Sequence, residues 1–250
     1  MGGDTSAART DGRHVRWRGR LTTGGLVGAA LLYNSWLLET AVPTRLDPRH
    51  SYVSELYAAD QATRPLFTAF EFGSAALLVL AALAWRRQGG GPGWWALVGF
   101  GAASTADVLL PMDCAPSLEP GCNAVHPLHT VTSGLVHFFL FASMAWLAWW
   151  AKHHPEQGGW RTVGRWGLPL TGAAMLAALA TVGPLLEHPG WHGVPQRLHL
   201  LFVGGWLLLL AYGVHAGGSV RAAHPVRATT APLLRGGNRF PRGGSGTLPG

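Results

Sequence analysis

The chain has 250 residues, 48% of them hydrophobic and only 12% charged, about half the charge of a soluble domain. Nineteen Lys and Arg against twelve Asp and Glu place the pI near 10.4, which in a soluble protein would suggest a nucleic-acid partner. The distribution of those charges excludes that reading and favours a bilayer.

Residues 1–20 begin "MGGDTSAARTDGR", a Gly- and Arg-containing stretch of small polar residues that buries no core, and read as a disordered basic tail. A domain at 21–216 follows. A bilayer core about 30 Å thick needs about 20 apolar residues at 1.5 Å rise, and six such runs occur: Leu21 to Val42, Leu66 to Trp85, Trp94 to Leu110, Thr130 to Ala151, Trp166 to Glu187 and Leu198 to Ala216. The first is longer than a signal-peptide h-region and lacks a small-x-small cleavage pattern near "LLETAVP", so it reads as a retained span. The segment after it, "PTRLDPRHSYVSELYAADQATRP", sets Val53, Leu56 and Tyr57 on one helical face. That predicts an interfacial helix, or alternatively a lid that turns Ser51, Ser54 or Glu55 inward. The link "RRQGGGPG" lacks the Lys-Ser/Thr ending of a phosphate loop and reads as a flexible turn. Residues 217–250, rich in Gly, Pro and Arg, read as a second disordered tail.

With the N-terminus inside, fifteen Lys and Arg fall on the cytoplasmic side and four, Arg45, Arg49, Arg64 and Arg197, on the other. This positive-inside bias assigns both termini to the cytoplasm of a multi-pass plasma-membrane protein. Its expected partners are membrane lipids and no nucleic acid. Trp85, Trp94, Trp95, Trp149, Trp150, Trp160 and Trp166 gather at the predicted cytoplasmic helix ends and read as interface anchors. Cys114 and Cys122 are the two cysteines and fall on the outer, oxidising side, which predicts a disulfide. Metal ligation by the pair is the rival, against which their wide spacing counts, and free thiols are the bland alternative.

Ionisable side chains within spans are costly and normally face the bundle interior. Here they crowd the outer half. Glu71 falls about 8 Å into the second span and His137 about 12 Å into the fourth, counted at the helical rise, with Asn34 and Asp107 at matching depth. His126, Thr130, Ser133 and His137 recur at intervals of four, three and four, a single stripe. Together they predict an outward-facing polar pocket of Asn34, Glu71, Asp107, Ser133 and His137. Imidazoles beside carboxylates are a usual first shell of zinc, so His126, His129, His137 and Asp107 are candidate ligands and a hydrolase is one expectation. Two others stay open: a packing network in which these groups only hydrogen-bond one another, and a solute or proton path.

Six spans, "HSYVSELYA" after the first, "PMDCAP" closing the third, "HT" opening the fourth and "GVPQRLH" leading into the last resemble the bacterial domain-of-unknown-function family numbered 998 over Leu21 to Ala216. The resemblance implies an all-α, polytopic membrane helix bundle and no assigned reaction. A more distant similarity is to the membrane hydrolases that include alkaline ceramidases, which use a Ser, an Asp and three His around zinc. Asp107 and His137 match in type, but the His-x-x-x-His of their last helix is missing here, since helix six offers His199 and His215. No catalytic residue follows from that similarity.

Overall fold

The computed structural model describes residues 4–123, 125–156, 158–186 and 190–223. Six α-helices follow one another: α1 (Asp4–Tyr33), α2 (Arg64–Trp85), α3 (Gly91–Leu109), α4 (Pro127–His153), α5 (Trp160–Leu179) and α6 (Gly193–Ala223). Among the described residues there is no strand, and three 3-10 segments, Ser35–Thr40, Val53–Tyr57 and Gly183–Leu186, complete the elements. The fold is all-α, as the sequence predicts. Three helices, α2, α4 and α6 over Gly193–Gly217, are long and apolar enough to cross a membrane.

Each helix packs on its neighbours in sequence, and α1 closes the ring against α6. The links between α2 and α3 and between α4 and α5 are short, which makes those neighbours antiparallel. The bundle is therefore an up-and-down ring with a short-link end, and a long-loop end carrying segments 34–63, 110–126 and 180–192. Lipid tails are as apolar as leucine, so helices in a bilayer associate through close van der Waals fit. Glycines supply that fit at the short-link end. A Cβ on Gly164 would stand 2.7 Å from the Lys152 backbone, and one on Gly167 2.5 Å from the Ala148 Cβ, so α5 lies directly on α4.

The glycine link is packed rather than loose. Gly90 has φ of +65° and Leu147 and Trp150 fill the space beside it, a left-handed turn that glycine adopts without steric cost. Trp94, Trp160, Trp206, Phe100, Met144 and Leu147 form a fully buried core. Three tryptophans read from sequence as interface anchors thus lie inside: Trp85, Trp94 and Trp160 are buried, whereas Trp95, Trp149 and Trp166 are exposed. Adjacent Trp94 and Trp95 point to different sides of α3, and the Trp94 indole donates to the Gly89 carbonyl at 3.0 Å, which satisfies its N–H in the core.

Several boundaries differ from expectation. α1 starts at Asp4, so part of the predicted 1–20 tail is helical; Ala and Arg favour helix and no Pro interrupts them. It ends at Tyr33 rather than Val42 because Asn34 donates back to the Ala30 carbonyl at 2.9 Å and accepts from the Trp36 indole, a side chain competing with the helical ladder. α5 stops at Leu179 ahead of Gly183 and Pro184, and Glu187 lies outside the described residues. α6 begins at Gly193, with Pro195 in the first turn where its missing N–H costs nothing, and so takes in Arg197. Residues 217–223 continue α6, and the rest of the predicted C-terminal tail lies outside the described residues.

Candidate functional site

The long-loop end encloses a cavity of about 570 Å³, within the usual range for small-molecule sites. Helical spacing delivers its polar wall. Ser104 and Asp107 project from one face of α3, Ser133 and His137 from one stripe of α4, Glu71 from α2 and His199 from α6. The opposite wall is apolar, built from Met175, Ala178 and Leu179 of α5 and the following Val182. Among the described residues, no Lys or Arg lines the cavity.

Asp107 is the hub. Its Oδ1 accepts from the hydroxyls of Thr132 at 2.6 Å and Ser133 at 2.8 Å, and its Oδ2 from the Tyr57 phenol at 3.4 Å. His129 Nδ1 lies 3.2 Å from Asp107 Oδ1, yet it makes no hydrogen bond of acceptable geometry and is buried. We take the short distance as an electrostatic contact, since a ring N–H must also point at its acceptor. Glu71 lies close enough to feel the Asp107 charge and faces the Ser104 hydroxyl, which is likewise buried without a well-formed hydrogen bond. Burial first, then the Asp107 and Glu71 carboxylates, push the Tyr57 phenol well above its ordinary value, so Tyr57 stays protonated and donates.

Two imidazoles are fixed by backbone carbonyls. His137 Nδ1–H donates to Ser133 O at 2.7 Å and His199 Nδ1–H to Ala174 O at 2.9 Å. A carbonyl only accepts, so Nδ1 carries a proton, and a ring with that single proton presents Nε2 as an acceptor. The rings stack with centroids 5.1 Å apart.

The Val53–Tyr57 segment forms the roof. It is no interfacial helix: Leu56 is fully buried, and Val53, Ser54 and Tyr57 line the cavity. Glu55, 1% exposed, turns away from the cavity as a clasp, accepting from the Tyr52 N–H and from both the backbone N–H and hydroxyl of Ser117. This ties the roof to the loop in which Cys114 and Cys122 form a disulfide, Cα atoms 6.1 Å apart. Burial and then Glu55 push the Tyr52 phenol up to about 12, and its hydroxyl donates to Thr181 O. Beside the cavity, Arg197 grips both oxygens of Glu39 at 2.8 and 2.6 Å and donates to the carbonyls of Pro48 and Ser51. Both partners are buried, and the pair locks the first loop onto α6.

Of the residues expected in the pocket, Glu71, Asp107, Ser133 and His137 line one cavity. Asn34 does not: its side chain is used within α1 and toward Trp36, and it fills the place where a Cβ on Gly204 would stand, which makes it a packing residue between α1 and α6. The proposed zinc set also separates. His126 caps α4 at the rim beside Cys122 and Asp113, away from His129 and His137. Among the described residues, the three His, Cys, Asp or Glu groups whose ligand atoms converge within 4.8 Å are Cys114, Cys122 and His126, and both sulfurs there are tied in the disulfide. His129, His137 and Asp107 do not converge on a common point, because His137 is turned toward His199 and the Ser133 carbonyl.

Sequence reasoning missed Thr132, Tyr57, Tyr33 and His199 as parts of the site, and the Glu39–Arg197 pair. Thr132 adjoins the predicted stripe, and a one-residue widening of that stripe would have found it. The others depend on contacts between distant helices.

No curated protein and no solved structure matches this chain. A family model does match, over residues 26–213, which take in the end of α1, all of α2 to α5, most of α6 and the cavity. The chain belongs to the DUF998 family, whose description is a protein of unknown function.

Proposed function

We propose that this is a six-span membrane protein, both termini cytoplasmic, whose outward-facing cavity binds a small ligand on the Asp107 cluster. Three helices meet the length and apolarity of a span, and α1, α3 and α5 alternate with them in a closed antiparallel ring with at least 19 residues each. The fifteen-to-four charge bias turns the short-link end inward. The disulfide at the opposite end fits an oxidising exterior.

The observation that carries the binding role is incomplete satisfaction. An unpaired buried polar atom costs about 1–3 kcal/mol, and on a cavity wall a bound molecule can pair it. Here His129 Nδ1, 3.2 Å from Asp107 Oδ1, and the Ser104 hydroxyl, facing Glu71, are buried on the wall of an open cavity without a well-formed hydrogen bond. A bound molecule supplies what the fold leaves unmade. The fully buried Trp94, Trp160 and Trp206 fill the short-link half, which favours a closed binding site over a through path for solute or protons.

Thermal unfolding of the detergent-purified protein against a panel of amines, polyols, carboxylates and phosphates tests this, with Asp107→Asn in parallel. At least one compound should stabilise the native chain and leave the variant unshifted. Equal shifts in both, or none across the panel, would overturn the reading. Orientation is read separately: an impermeant thiol reagent on intact cells should label Asp113→Cys and spare Gln88→Cys.

A further inference from the structure

Resting on that binding cavity, we infer that its ligand is a membrane amphiphile with an amine-bearing head, which enters sideways from the outer leaflet between α4 and α5. The head follows from counting hydrogen-bonding valences. The Tyr57 and Ser133 hydroxyls donate to Asp107, the Tyr52 hydroxyl to Thr181 O, and the Thr181 hydroxyl to Ala178 O. Those donors are spent inside the protein. Strong acceptors facing the cavity are the Glu71 carboxyl, Asp107 Oδ2 beyond its long contact with Tyr57, and the Nε2 atoms of His137 and His199. The Ser35, Ser104 and Thr130 hydroxyls that also line it accept as readily as they donate, and the Gln196 amide, whose oxygen is taken by the Val53 N–H, adds a donor. Two acidic side chains that share one cavity, with no lining Lys or Arg, disfavour phosphate or carboxylate heads, whereas an ammonium offers only donors and positive charge.

The tail follows from the shape of the wall. α4 and α5 touch at the short-link end, where Gly164 and Gly167 leave no room for a methyl group. They part toward the long loops. Gly134 lines the cavity yet is exposed, with nothing within 4 Å of where a Cβ would stand. Met175, Leu179 and Val182 line the cavity and are 42%, 60% and 38% exposed in all, beside Leu176, which is 71% exposed and lies off the lining. One thin wall thus serves as cavity lining and bundle surface. The flanks of this seam are exposed Val131, Leu135, Phe138 and Leu176, an apolar belt that faces acyl chains rather than water. A ligand crossing the seam leaves an apolar tail in contact with Leu179 and Val182 while its head reaches the acceptors.

The test reconstitutes the full chain in phosphatidylcholine vesicles containing either a photoreactive long-chain amine or the matching photoreactive long-chain fatty acid, and maps crosslinks by mass spectrometry. The amine should label residues 130–141 and 171–182 about tenfold more than the acid, which corresponds to about 1.4 kcal/mol of preference. Gly134→Trp, which plugs the seam, should lower amine labelling to the acid level, and Gly205→Trp, in open space on α6 off the cavity lining, should leave it unchanged. Equal labelling by both heads, or labelling indifferent to Gly134→Trp, overturns the inference. The head-group comparison uses the native chain and decides even if Gly134→Trp does not fold. A water-soluble short-chain amine separates the two readings. If the lipid result fails while that amine stabilises the native chain but not Asp107→Asn, the binding cavity stands and only the lipid assignment falls. If that amine fails while another compound of the panel is selective for the native chain, the cavity stands and the amine head falls; if no compound is, both fall.

Discussion

The two ends of this bundle solve opposite problems with the same six helices. At the short-link end, glycines let α4 and α5 touch and tryptophans fill the ring, so cohesion comes from shape. At the long-loop end the helices part, and what holds them is charge and hydrogen bonding: Glu39 with Arg197, Glu55 with Ser117, Asp107 with Thr132 and Ser133. A packed end tolerates no added volume, and a polar end tolerates no lost partner. The cavity exists because the second kind of cohesion spans a gap that the first would close.

The largest expected effect is at the polar end. Glu39→Gln leaves the buried Arg197 guanidinium without its countercharge and should cost about 3–5 kcal/mol in thermal unfolding, whereas replacing both partners with Leu and Met should recover most of it. A single variant as stable as the native chain would mean that this end, too, is held by shape. At the packed end, Gly164→Val drives a side chain into the Lys152 backbone and should cost about 1–3 kcal/mol; the same exchange at Gly134, where space is open, should cost far less. Equal losses at the two glycines would erase the contrast between ends.

A smaller effect of opposite sign belongs to the site itself. Glu71→Gln removes one of two carboxylates that share a cavity and should stabilise the fold by about 1 kcal/mol while weakening amine binding. If it destabilises, Glu71 is a packing residue and the acceptor-rich wall loses a member. The smallest effect lies outside the cavity, on the first loop. Hydrogen bonds from the Arg49 side chain and backbone hold the exposed Asp47 carboxyl down to about 2, from an ordinary 3.8. A depressed carboxyl contributes stability above its unfolded value and loses it as pH falls toward the folded one. The unfolding midpoint should therefore carry a slight decline between about pH 4 and pH 2 that Asp47→Asn abolishes; an unchanged acid limb would show that the pair contributes nothing measurable.

Legibility differed between the ends for physical reasons. Glu71, Asp107, Ser133 and His137 were visible in the sequence because an ionisable or polar group inside a long apolar run is costly and turns inward, and because helical period assigns each a face. Asn34 met the same criteria and still proved to be a packing residue, since depth and residue type say nothing of which neighbour takes the amide. The tryptophans misled in the same way. A Trp at a helix end is an anchor or a core residue depending on the helix rotation, and Trp94 and Trp95 take one role each.

By itself the sequence determined the all-helical class, the six apolar runs, the charge asymmetry and the polar band, because each is a sum over local chemistry: apolar length against bilayer thickness, Lys and Arg by segment, and side-chain type by period. Only the tertiary structure decided the rest. That α1 closes on α6, that Arg197 meets Glu39 across 158 positions, that His137 stacks on His199 instead of joining His129 around a metal, and that α4 and α5 part at Gly134 all depend on how each helix is rotated and tilted against its neighbours. Those angles are set by small differences in close packing between surfaces far apart in the chain, which no count along a single segment contains.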